Sequence, residues 1–177
     1  MPAPAEIHQI TRDYEPHANW MIEIIQRIKP QHILELGTDV GDSARIFLAA
    51  TEGTDCRVTT VDVKDVDTKW ADGINRITFV KSDTRLLFWP KPIDVLFIDD
   101  HVAGMDMFTH VWGELQRFGV WVRKGGVIIL HDTNHQEFGD GIRRAIRMWC
   151  LEAKLQWTED LNGYGMSLIE VSKNLAH

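Results

Sequence analysis

The chain's sequence predicts an α/β fold, with a mainly parallel sheet covered by helices on both faces. Three observations carry that reading. Short β-rich runs alternate with stretches of helical period, the pattern of strands joined by crossover helices. Several of those runs end abruptly in glycine or aspartate. The length of 177 residues, with 44% hydrophobic and 25% charged residues, suffices for one cored domain and is too short for two of ordinary size.

Residues 1–16 are punctuated by proline and read as an irregular arm. Trp20, Met21, Ile24, Ile25 and Ile28 fall at helical spacing between Ala18 and Ile28, and Pro30 stops that helix. Residues 1–30 thus form an arm and cap helix, and residues 31–177 the main domain. HILELG is a buried strand, Ser43 to Ala50 a helix, and CRVTTVDV a second strand ending near Asp62. The polar DVKDVDTKWADG is a loop with at most a helical turn. RITFVKSD supplies a third strand and, after the stiff WPKP linker, IDVLFIDD a fourth. From Asp106 to Val122, Phe108, Val111, Trp112, Leu115 and Val122 mark a helix face. Lys124-Gly125-Gly126 turns into VIILH, a fifth strand. Asp140 to Leu151 is a helix, and LQWTEDL with GMSLIEV is a closing pair of strands.

The net charge of −7 argues against a nucleic-acid backbone as partner, which needs clustered Lys and Arg. Arg143, Arg144 and Arg147 read as a solvated helix face. A small-molecule partner is expected, and a homo-oligomer is not excluded. No apolar run approaches the roughly 18 residues of a membrane span, and the N-terminus lacks the features of a secretory signal. The expected compartment is the cytoplasm, where Cys56 and Cys150, far apart and in no ligand spacing, are reduced thiols.

Ligands of parallel α/β sheets lie beyond the carboxyl ends of the strands, near the reversal of strand order. Five segments end there. ELGTDVG places Gly37 and Gly41 in a strand-to-helix turn, where glycine permits positive φ and close approach of a ligand. Asp62 ends the next strand, placed to accept hydrogen bonds from a ribose, and Ser82-Asp83 ends the third, able to read an adenine edge. The tips Asp99-Asp100-His101 and His131-Asp132 share a crevice if their strands are neighbours. Together these suggest an adenosine-containing cofactor. Asp39 would repel a pyrophosphate but tolerate a sulfonium, and neither Tyr14 nor Tyr164 has a Lys four residues on, as one common dehydrogenase class requires. The sign of the charge favours S-adenosylmethionine over NAD.

HILELGTDVGDSA, VTTVDV, IDVLFIDDH and VRKGGVIILHDT, in that order, resemble the class I S-adenosylmethionine-dependent methyltransferases. More narrowly, they resemble a small bacterial group whose fifth strand ends in His-Asp-Thr. That group is related to catechol O-methyltransferase and to metal-dependent sugar O-methyltransferases. The resemblance runs from about Ile33 to Arg147, with GYGMSLIEV similar to the last strand. It implies a single-domain Rossmann-like methyltransferase fold with a seven-stranded sheet. It further implies that S-adenosylmethionine lies against Glu35, Gly37, Thr38, Gly41, Ser43, Asp62, Val63, Ser82, Asp83 and Asp99. In the relatives, a Mg²⁺-type ion is held by residues matching Asp99 and the pair His131 and Asp132. Here His131 replaces an acidic residue and would suit Mn²⁺, Fe²⁺ or Zn²⁺ better than Mg²⁺, with Asn134 an alternative oxygen donor. Val102 stands where catechol O-methyltransferase has its Lys, so the expected base is His101, the nearest match to the sugar-modifying relatives, or His135.

The implied function is divalent-metal-assisted O-methylation of a hydroxyl on a small molecule or sugar. The alternatives are a nucleotide-cofactor oxidoreductase and a non-catalytic S-adenosylmethionine-binding module. The aromatic and Met residues from Met105 to Val122 are expected in the core. His8, His17, His32, His110 and His177 are expected at the surface, and Trp70, Trp89 and Trp157 are candidates for a substrate mouth.

Overall fold

Ile93–Ile98 is an uninterrupted run of buried residues, as a strand covered on both faces must be. In the computed structural model, which describes Tyr14 and residues 17–175, this strand (β4) is central in a seven-stranded sheet. The other strands are β1 (His32–Leu36), β2 (Arg57–Asp62), β3 (Ile77–Lys81), β5 (Val122–His131), β6 (Gln156–Asp160) and β7 (Met166–Glu170), in the order β3-β2-β1-β4-β5-β7-β6. Only β7 runs against the rest. The chain winds outward from β1 to β3 and returns to β4 beside β1, so the reversal of strand order lies between β1 and β4.

Strand alternation sends successive residues to opposite faces. Leu34, Leu36, Leu96, Ile98, Ile128 and Leu130 pack under α3 (Met107–Arg117) and α4 (Gly139–Ala153). Ile33, Val95, Phe97, Val127 and Ile129 pack under α1 (Ala18–Ile28) and α2 (Asp42–Ala50). The ring of Phe97 meets that of Phe47 edge-on at 5.2 Å.

Two expected boundaries shift. The third helix ends at Arg117, not Val122: a 3₁₀ turn over Gly119–Trp121 follows, and Val122 starts β5 by pairing with Ile93. The fifth strand therefore begins before the Lys124-Gly125-Gly126 segment, which is an irregularity within it. Gly125 takes φ +84°, the register slips, and Val127 then pairs with Val95. A Cβ at Gly126 would lie 2.6 Å from the Asp94 carbonyl oxygen, so only glycine passes there. The Arg143–Arg147 face is partly engaged, since Arg143 donates to the Thr133 carbonyl and the Arg144 guanidinium lies 5.0 Å from the Phe108 ring centre.

Three histidines expected at the surface are not there. His17 is fully buried, its Nε2 2.9 Å from the Asn162 carbonyl and its Nδ1 3.6 Å from Asp160, tying the start of α1 to the β6–β7 region. His110 is buried on the inner face of α3. His32 is half-buried against Trp89, ring centres 5.1 Å apart. A histidine outside any apolar period gives no sequence sign of such partners. His8, His177 and the arm 1–16 other than Tyr14 lie outside the described residues. Trp89 is buried beside His32 at the amino end of β1, away from the strand tips, and Trp157 packs on the core, so neither forms a mouth there. The two cysteines are free and buried; burial pushes the Cys56 thiol up to about 11 and Cys150 up to about 12. Among the described residues, no helix is long and apolar enough to cross a membrane.

Asp94 clamps the amino ends of three strands. Its Oδ2 accepts the backbone N–H groups of Gln31 and His32, each at 2.7 Å, and Oδ1 accepts from the Arg123 guanidinium. Asp94→Ala should cost about 3 kcal/mol, and Asp94→Asn about half of that, because buried N–H groups lose a charged acceptor. Urea unfolding midpoints measure both, and an unchanged midpoint in Asp94→Ala would refute the clamp.

Candidate active site

The register of β4 against β5 builds the crevice. Ile98 pairs with Leu130, so the next residues, Asp99 and His131, emerge side by side, with Asp132 beyond. The Asp99 N–H donates to the Leu36 carbonyl at 2.8 Å, which fixes the tip against β1 as well. Asp132 turns the chain in the left-handed region at φ +59°, a conformation that Asp adopts more readily than most residues. His131 Nδ1 lies 3.1 Å from Asp99 Oδ1 and 3.4 Å from Asp132 Oδ1. The hydroxyl of Tyr14 donates to Asp99 Oδ2, and its ring centre lies 4.8 Å from that of His131. Burial holds the Asp132 carboxyl above its ordinary range; the nearby His131 opposes this and Asp99 adds to it. Burial, with the Asp99 charge beside it, pushes the Tyr14 hydroxyl well up.

The glycine loop follows β1. Gly37 has φ +93°, and a Cβ there would lie 2.3 Å from the Asp99 carbonyl oxygen; a Cβ at Gly41 would meet the Trp70 ring at 2.5 Å. Both glycines are thus required by the protein's own packing, and Trp70 is a buttress of the loop rather than a mouth. Beneath the loop Glu35 is fully buried and accepts from the Ser43 hydroxyl. Burial raises the Glu35 carboxyl to about 8, so it is largely protonated at neutral pH. Asp62 Oδ2 accepts the loop N–H groups of Thr38 and Asp39 at 3.1 and 3.0 Å, and Oδ1 accepts that of Lys64 at 2.8 Å. Thr38 pairs with Thr60 through their hydroxyls at 2.5 Å.

Two cavities meet at the strand tips. One of about 680 Å³ is walled by Gly37, Asp62, Val63, Ser82, Asp83 and the tip residues Asp99, Asp100, His101 and Asp132. A second, of about 190 Å³, is walled by Tyr14, Thr38, Asp39, Asp42, Asp99, His131, Asp132, His135 and Tyr164. Asp39 on the glycine loop and the tip residues Asp99 and Asp132 border both. Of the expected cofactor residues, Gly37, Asp62, Val63, Ser82, Asp83 and Asp99 thus share one wall. Thr38 faces the smaller cavity, while Glu35, Gly41 and Ser43 lie buried behind the loop. The Arg85 guanidinium grips Asp83 through both carboxylate oxygens and holds it down at about 2.

Asp99, His131 and Asp132 offer donor atoms all within 4.8 Å of one another, a set that fits a divalent ion. Asn134 spends its amide on the carbonyls of Leu161 and Gly163. His101 and His135 both stack on Phe138, at 5.2 and 4.5 Å between ring centres. His135 Nδ1 accepts the Glu137 N–H at 3.2 Å, which leaves the proton of the neutral ring on Nε2. Sequence reasoning missed Tyr14, Phe138 and Tyr164. Phe138, three residues after His135 just ahead of α4, carried a weak signal; an isolated tyrosine in a polar arm carried none.

Known proteins now give the site its context. Residues 34–133 match the family described as "Methyltransferase domain". No curated protein matches the chain. Among solved structures, a putative caffeoyl-CoA O-methyltransferase from Staphylococcus aureus superposes with TM-score 0.74 at 13% identity, covering 96% of this chain and 93% of that one. The O-methyltransferase TomG from Streptomyces achromogenes, in complex with SAM, gives TM-score 0.67 at 18% identity over 97% and 91% of the two chains. An O-methyltransferase from Bacillus cereus with SAH gives 0.69 at 17% over 97% and 92%. The chain belongs to the methyltransferase-domain family, and its sheet is the Rossmann-like fold expected of class I methyltransferases.

Glu35 makes stability depend on pH. The folded chain keeps a proton there that the unfolded chain, with the ordinary value of 4.5, releases. Its contribution is therefore complete below about pH 4.5 and is lost as pH rises to about 8. Glu35→Gln should flatten this part of the pH profile and gain on the parent chain as pH rises. Melting temperatures between pH 5 and 8 test this, and parallel curves for the two proteins would contradict it.

Proposed function

We propose that this methyltransferase transfers the methyl group of S-adenosylmethionine to a hydroxyl of a small molecule or sugar, assisted by a divalent ion. One observation carries the reading: Asp99 and Asp132 border both the larger and the smaller cavity. The larger has the volume of a small-molecule cofactor site, and the smaller suits the reacting end of an acceptor. Two of the structural neighbours are named as bound to SAM or SAH.

In this reading Asp62 would hold the ribose, and Ser82 with Asp83 would face the adenine. When bound, S-adenosylmethionine supplies an electrophilic methyl group on a sulfonium. Asp99, His131 and Asp132 would hold the ion, which lowers the pKa of a hydroxyl brought to it. Tyr14 anchors one oxygen of Asp99 and leaves the other directed at His131. The walls bring acceptor and methyl donor into proximity, which supplies much of a bimolecular rate enhancement. His101 takes the acceptor's proton. It is exposed and borders the larger cavity, whereas the accepting nitrogen of His135 is already engaged by Glu137. The Asp99–His131 hydrogen bond favours a second reading, without a metal, in which Asp99 orients His131 and that imidazole takes the proton. Activity that survives exhaustive chelation would select it.

Asp62→Ala should weaken S-adenosylhomocysteine binding by about tenfold or more, the equivalent of one or two lost hydrogen bonds. Calorimetry measures this, and an unchanged affinity would remove the ribose from Asp62. Asp132→Ala should lower methyl transfer to a panel of polyols and phenols by about a hundredfold or more, with S-adenosylhomocysteine affinity retained. Full turnover in that variant would dismiss the metal-assisted reading.

A further inference from the structure

A second polar cluster lies behind the tip of β4, and nothing in the proposed reaction uses it. Asp100 follows Asp99 at the tip and turns toward α3. His110 and Glu114, four residues apart on α3, share its buried face. His110 Nε2 lies 3.1 Å from Asp100 Oδ1 and 3.7 Å from Glu114 Oε1. The His110 and Glu114 side chains are 1% and 3% exposed, and Asp100 is 17% exposed. Neither carboxylate oxygen of Glu114 has a hydrogen-bond partner. The neighbouring cation, Arg117, donates to the Thr84 carbonyl at 2.7 Å. Two carboxyl groups therefore face one imidazole, and a buried carboxyl group that makes no hydrogen bond is costly.

We propose that Asp100, His110 and Glu114 form a divalent-cation site of the zinc or manganese class, separate from Asp99, His131 and Asp132. The donor atoms all lie within 4.8 Å of one another. One nitrogen and two carboxylates suit zinc and its transition-metal neighbours, and the ion's two charges cancel those of the carboxylates. Two ligands at i and i+4 on a helix already point one way, as in helical zinc motifs. The third comes from a strand tip, so the ion would pin α3 to β4. Asp100 also lines the larger cavity, which gives an ion a route in from solvent.

The test uses the full chain stripped with chelator and titrated with Zn²⁺ alone. In a variant carrying Asp99→Asn and Asp132→Asn, one equivalent of Zn²⁺ should still bind. Adding Glu114→Gln or His110→Asn should weaken it by about a hundredfold or more, as loss of a ligand costs at least what loss of an outer-shell partner does. Circular dichroism and cooperative urea unfolding check that these variants fold. Crystals of the unaltered chain soaked in Zn²⁺ give a readout without mutation, an anomalous peak bonded to His110 and Glu114. No Zn²⁺ bound in the Asp99→Asn, Asp132→Asn variant, unaltered binding in folded Glu114→Gln or His110→Asn chains, or no peak between those side chains would each overturn the proposal.

Discussion

The parallel register of β4, held between β1 and β5, is the constraint from which the site follows. Ile98 is paired on one side with Leu36 and on the other with Leu130. All three strands therefore end level, and Gly37, Asp99 and His131 emerge from neighbouring tips about 4.8 Å apart. A slip of one residue in β5 would send His131 to the other face of the sheet and separate it from Asp99. The irregularity at Gly125 and Gly126 sets that register from the opposite end, since it decides how far Val127 has advanced by the time it meets Val95. The clamp on Asp94 lies at the same end, so the amino ends of the strands govern the placement of chemistry at their carboxyl ends.

Negative charge is concentrated at those tips and managed in three ways. Glu35 is buried, which pushes its carboxyl up to about 8, with the Ser43 hydroxyl on one oxygen. Asp62 is satisfied by backbone N–H groups of the glycine loop and of Lys64, which gives that loop its shape before any ligand arrives. Asp99 and Asp132 share His131, with Tyr14 on the far oxygen of Asp99. Asp99 and Asp132, which border both cavities, thus have one imidazole between two carboxylates, an electrostatic condition for attracting a cation. The Asp100–His110–Glu114 cluster has the same imbalance in a drier setting.

The strand tips were legible in the sequence because each apolar run ends in a polar residue that no core position could tolerate. Asp62, Ser82, Asp83, Asp99 and Asp132 all came from that one signal, and all line one cavity. The glycine loop was legible as a turn, although its glycines answer to Asp99 and Trp70 rather than to open space. Partners contributed from distant segments were not legible. Tyr14 reaches Asp99 across 85 residues, and His17 reaches Asn162 across 145. His17 and His110 look like surface residues because nothing local explains a buried imidazole.

The sequence alone determined the order and type of the elements, the two-sided burial of the central strands, and the residues at the strand tips. Apolar periodicity is a local property, and the hydrophobic effect acts on it wherever the chain goes. Tertiary structure alone decided which tips are neighbours, which histidines are buried, and which carboxylates share one imidazole. Those outcomes depend on distances between segments far apart in the chain, and such distances are fixed only when the sheet closes its register.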